Sequence, residues 1–168
     1  MTMKTKVLSA LLSLALVFTM VSCSPSSEED AAERVQIVEQ YDYDLDEMRL
    51  AHIINEYRAS IGLNTLEKIA HVSYKSAEHN EYMIQNDVVN HDYFFERARN
   101  IRAAVGAVKV NENIAYNFPT PEATLAAWLA SEGHKATIEG DFTHFGISVT
   151  EDPETGKKYY TNIFVKVN

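Results

Sequence analysis

The stretch Tyr159-Tyr160-Thr161-Asn162-Ile163-Phe164-Val165 carries bulk on both of its faces. Tyr159, Thr161, Ile163 and Val165 recur at the two-residue period of a strand, while Tyr160 and Phe164 load the opposite side. A strand that is apolar on both sides has to be covered on both sides. Just upstream, Phe145, Ile147 and Val149 alternate, joined to the last run across the turn signal Glu151-Asp152-Pro153-Glu154-Thr155-Gly156. These two runs predict an α+β fold: a small antiparallel sheet sandwiched between helices.

The rest of the domain supplies the helices. Asp44-Leu45-Asp46-Glu47 reads as a capping box, in which a side-chain acceptor and a glutamate three residues on satisfy each other's backbone N–H. Leu45, Met48, Ala51, Ile54, Tyr57 and Ile61 follow at helical spacing, and Gly62 is a natural stop. A second helix is expected over about residues 67–85, with Ile69, Val72, Ser76, Asn80 and Met83 on one stripe. A third is expected over about residues 93–105, ending at Gly106. Pro121 suits a first helical turn, and that helix is expected to run through Ser131 to an interruption at Gly133. Asn55 and Arg58 share a helix and are expected to brace neighbouring segments, and Trp128 to anchor the core. His52, His71 and His79 have polar neighbours and are expected to be exposed or half-buried.

The N-terminus reads as processing and tethering rather than as fold. Lys4 and Lys6 precede the mostly apolar run Val7–Val21. That run is shorter than the ~20 residues a bilayer span needs, and Ser9, Ser13 and Thr19 interrupt it, so residues 1–22 read as a secretory leader. Met20-Val21-Ser22-Cys23 resembles the bacterial lipobox, which would make Cys23 a lipidated first residue and the membrane a partner. Residues 23–43 read as that anchor plus a polar, acidic tether, similar to the surface-export signals of Bacteroidota-type lipoproteins. The expected location is the cell envelope, facing the periplasm or the exterior. Cys23 is the only cysteine, which excludes an internal disulfide and any thiolate metal cluster. The net charge of −9, with no basic stripe, excludes nucleic acid as a partner.

Several motifs then occur in order: Asn55-Glu56-Tyr57-Arg58, His91, Asn111-Glu112-Asn113-Ile114-Ala115, and Trp128-Leu129-Ala130-Ser131-Glu132-Gly133-His134. With Phe142-Thr143-His144-Phe145-Gly146-Ile147 leading into the terminal hairpin, residues 44–168 resemble the CAP superfamily of cysteine-rich secretory, antigen 5 and pathogenesis-related proteins, in its bacterial branch. The resemblance implies an α-β-α sandwich and a cavity of two histidines and acidic groups. His91, Glu112 and His134 match that cavity. Ser131 stands where eukaryotic members carry a second glutamate, and Asn111 replaces a usual glycine.

Two imidazoles and a carboxylate are ligand types for Zn²⁺ or another divalent cation, so His91, Glu112 and His134 are the candidate metal ligands. Without metal, Glu112 would orient a histidine as general acid or base. Ser131, three residues before His134, permits a Ser-His-Glu reading if one helix carries both. His144 is a further candidate to border the cleft. No oxyanion hole is identifiable and the catalytic set is incomplete. The residues therefore lean toward a binding module for a protein, glycan or lipid. A metal-dependent or acid–base hydrolase of peptide or cell-wall material, and a lipid or sterol binder, are the alternatives.

Overall fold

The computed structural model of the chain describes residues 35–168. The expected leader, Cys23 and most of the tether lie outside the described residues.

The capping box forms as its residues require. The Glu47 N–H donates to the Asp44 carboxylate at 2.7 Å, and the Asp44 N–H donates to the Glu47 carboxylate at 2.9 Å, starting helix α1, Leu45–Ser60. Glu47 does more than cap. It is buried, and also accepts from the Tyr41 hydroxyl and the Val149 N–H, tying the incoming chain and the helix to the sheet. Burial raises its pKa. Tyr43 reaches Ser73, so the entry segment packs on the body. Arg58 is fully buried and donates to the carbonyls of Asn64, Ile138 and Gly140, which is the bracing role expected of it.

The elements that follow are β1 (Glu67–Lys68), α2 (Ala70–Asn86), α3 (Phe94–Val105), β2 (Ala107–Tyr116), α4 (Pro121–Ala130), α5 (Glu132–Ile138), β3 (His144–Glu151) and β4 (Lys158–Val167). The sheet order is β1-β3-β4-β2. β4 pairs antiparallel with β3 and β2, with Ile147 and Asn113 both opposite Asn162. One face of the sheet packs Phe145, Ile147, Tyr160 and Phe164 against α1 and the α4–α5 side, with Trp128, Leu50 and Ile54. The other packs Val110, Ile163 and Val165 against Val72 of α2 and Ala98 and Ile101 of α3. That is the expected sandwich.

The differences from expectation are local. The sheet is mixed rather than purely antiparallel, because β1 runs parallel to β3; residues 67–68 form this strand, and α2 starts only at Ala70. β2 is a ten-residue strand where no alternation announces one. Asn111, in place of the usual glycine, sits in regular register opposite Phe164. His71 and His79 are buried rather than exposed. His71 is satisfied by the Val38 N–H and the Asn100 side chain, whereas His79 meets the Asn90 carbonyl through Nε2 and leaves its buried Nδ1 without a partner among the described residues. Gly146 on β3 is required by packing: a Cβ there would lie 2.2 Å from the Val72 carbonyl carbon and 2.3 Å from the Ser73 nitrogen. α2 therefore rests directly on the sheet backbone.

Candidate functional site

β2 is an outer strand, and alternate residues of it face different helical layers. Glu112 points to the α2–α3 side, where His91 and Arg97 meet it. Asn113 points to the α5 side, where its Nδ2 donates to the His134 carbonyl at 3.0 Å. The strand thus gathers one histidine from each layer.

His91 lies in the loop between α2 and α3, which hydrogen bonds hold in place. His79 Nε2 donates to the Asn90 carbonyl at 2.8 Å, the Tyr82 hydroxyl donates to Asp92 at 3.0 Å, and Arg97 Nη1 donates to the Asp92 carbonyl at 2.8 Å. Asn90 Nδ2 also donates to Asp92 within the loop. Asp87 and Tyr93, at its two ends, adopt left-handed backbone with φ of 49° and 58°. Such conformations in non-glycine residues persist only where surrounding contacts over-determine them.

The centre of the site is the Glu112 carboxylate. Arg97 grips it side-on, with Nε at 3.0 Å from Oε2 and Nη2 at 2.8–2.9 Å from both oxygens. His91 Nδ1 lies 2.8 Å from Oε1. The ionised carboxylate only accepts, so Nδ1 carries the hydrogen, and neutral His91 presents Nε2 as its lone-pair nitrogen. The Glu112 side chain is 2% exposed and that of Arg97 9%, whereas that of His91 is 54% exposed. A buried, paired carboxylate thus orients a half-exposed imidazole. On the other layer, burial and then the nearby His91 lower the pKa of His134 and favour its neutral form.

The predicted site residues divide accordingly. His91 and Glu112 are in direct contact, and His134 is tied to the same strand through Asn113. Among the described residues, no group of three or more His, Cys, Asp or Glu side chains is gathered in metal-binding geometry. Both oxygens of Glu112 are engaged by Arg97 and His91, so its place is behind His91.

Ser131 departs from its expectation. The helix breaks there rather than at Gly133, with Ser131 in extended backbone (ψ 121°) as the cap shared by α4 and α5. Ser131 and His134 therefore do not share one continuous helix: Ser131 is the N-cap of α5 and His134 its third residue. His144 is on β3, beside Glu67 of β1 and two strands from β2, so it does not border the site.

Arg97 and His79 were not anticipated. Arg97 sits on the buried side of α3 with Ala98 and Ile101, and a charge among apolar neighbours is the signal that a carboxylate waits opposite.

A model of the cysteine-rich secretory protein family matches residues 51–165 of this chain. The membrane protein YlbC of Bacillus subtilis is 33% identical over 124 residues, which covers 71% of this chain. The chain spans about a third of that relative, 34% of its length. Among solved structures, an outer surface protein from Borrelia burgdorferi superposes with a TM-score of 0.68 at 20% identity, covering 76% of this chain and 97% of that one. An extracellular protein containing an SCP domain from Bacillus anthracis gives 0.64 at 26% identity, covering 72% and 40%.

Proposed function

From the premise that the chain belongs to the cysteine-rich secretory protein family, we propose that it is an extracytoplasmic binding module with its recognition site in the cleft over β2, between His91 and His134. The observation that carries this reading is the Arg97–Glu112–His91 chain. A buried ion pair fixes the tautomer and the direction of an imidazole that is itself half-exposed. A histidine needed only for packing would be covered, as His71 and His79 are.

Placement outside the cytoplasm is supported by the leader-like residues 1–22 and by relatives described as extracellular or membrane proteins. No helix among the described residues is long and apolar enough to cross a membrane. Attachment would then rest on lipidated Cys23. Salt-resistant membrane association that is lost in Cys23→Ser supports the anchor, and association unchanged in that variant overturns it.

The donors present suit a divalent cation in a reduced form of the set expected from sequence. His91 Nε2 and His134 would hold Zn²⁺, with Glu112 behind His91 as the carboxylate that raises its basicity. A bound ion would supply Lewis acidity toward an oxygen ligand. Calorimetric titration of Zn²⁺ is expected to show binding in the micromolar range, lost in His91→Ala and in His134→Ala. Wild-type binding no tighter than millimolar overturns the metal reading.

The hydrolase alternative keeps a general base in His91 but no longer has the single helix that was to carry Ser131 with His134. No observation favours the lipid-binding alternative.

A further inference from the structure

Resting on the cleft reading above, we infer that the main chain of Glu112 is a pairing site for one residue of an extended peptide, so that the ligand is a polypeptide segment.

In an antiparallel pair, residues alternate between those that exchange backbone hydrogen bonds with the partner strand and those whose N–H and C=O point away from it. Two observations fix that alternation in β2 independently. The Asn117 N–H donates to the Lys158 carbonyl at 2.8 Å, which directs Asn117 toward the β4 side. The Ile114 carbonyl instead accepts from Trp128 Nε1 at 2.9 Å, which directs Ile114 away from β4. The register runs without a shift from Lys109 to Tyr116. Asn111, Asn113 and Ala115 therefore bond to β4, while Val110, Glu112, Ile114 and Tyr116 turn their backbone groups outward.

The outward positions are not equivalent. The indole of Trp128 occupies the Ile114 carbonyl. Val110 is buried in the α3 cluster, close to the register shift between Ala107 and Lys109. Glu112 is between them. Among the described residues, neither its N–H nor its C=O has a hydrogen-bond partner. Its side chain is 2% exposed while the residue as a whole is 9% exposed, so what solvent reaches is main chain.

An N–H and a C=O side by side on a strand edge match the C=O and N–H of one extended peptide residue. Sugars and acyl chains do not offer that matched pair. Because Trp128 takes the Ile114 carbonyl and Val110 is buried, neither neighbouring outward residue offers a second matched pair, and the pairing at Glu112 is a single bridge. His91 and His134 then flank the peptide on its two sides, where they would read the groups next to the paired residue.

The test is backbone NMR of the full-length chain in detergent micelles. In the free protein, the Glu112 amide is expected to exchange with solvent roughly tenfold or more faster than those of Asn111 and Asn113. A pool of acetylated, amidated tetrapeptides built from Ala, Val, Thr, Ser, Lys and Glu is expected to shift the Glu112 amide and slow its exchange. The same pool N-methylated at every peptide bond is expected to do neither. A Glu112 amide as protected as its neighbours in the free protein, or one that no pool shifts, overturns the inference. Shifts confined to the His91 and His134 rings would overturn strand pairing and leave the cleft reading standing. The zinc titration fails or succeeds independently of both.

Discussion

β1 and β2 are the outer strands of one sheet, and a side chain closes part of each edge in a different way. Beside β1, the Asn55 amide does the work of a missing strand. Its Nδ2 donates to the Leu66 carbonyl at 2.9 Å, and its Oδ1 accepts from the Leu66 N–H at 2.8 Å. Both edge groups of that residue are paired from a helix. A groove of about 530 Å³ lies alongside, lined in part by Met48, His52 and Phe145. On β2 only the Ile114 carbonyl receives such cover, from Trp128. The next outward residue toward the N-terminus is Glu112, whose side chain holds His91. Exposed edges invite unwanted pairing, and proteins usually blunt them. Here the cover reaches Leu66 on one side and the Ile114 carbonyl on the other, and stops short of Glu112.

The largest effect that would break this comparison is expected from Arg97→Leu. It strands the buried Glu112 carboxylate without its cation, and should cost about 3–5 kcal/mol in urea unfolding. Replacing both partners, Arg97→Leu with Glu112→Leu, is expected to recover much of that loss. Recovery would show that the open edge rests on charge pairing rather than on the packing of α3.

Asn55→Leu should come next, at about 2–3 kcal/mol, because it leaves two partly buried backbone groups of Leu66 unpaired. A loss below about 0.5 kcal/mol would show that the β1 edge does not need its amide clamp. Trp128→Phe is the smallest, at about 1–2 kcal/mol, since it keeps an aromatic ring and removes one N–H donor. By freeing the Ile114 carbonyl it lengthens the open edge. Concentration-dependent self-association, measured by light scattering, is the expected consequence.

Legibility in the sequence followed how each element is stabilised. β3 and β4 announce themselves because apolar side chains alternate in them. α1 is equally plain, because its cap is a local signal written within four residues. β2 is not, because its central residues Asn111, Glu112 and Asn113 are polar. Glu112 and Asn113 are nonetheless buried, since Arg97 and the His134 carbonyl meet them from far along the chain. Period-based reading weighs hydrophobicity, and a polar residue buried by a distant partner looks like loop. His71 and His79 misled for the same reason. The cleft histidines His91 and His134 were found through family motifs. The side-on grip of Arg97 on Glu112 depends on α3 crossing β2, and no spacing encodes that.

The bare backbone at Gly146 acts as a shim. It sets the height of α2 above the sheet, and α2 carries His79 and Tyr82, the two side chains that fasten the loop of His91. The aim of His91 over Glu112 is therefore adjusted from β3, two strands away across the sheet. A single methyl group at Gly146 would retune the cleft without touching any of its residues.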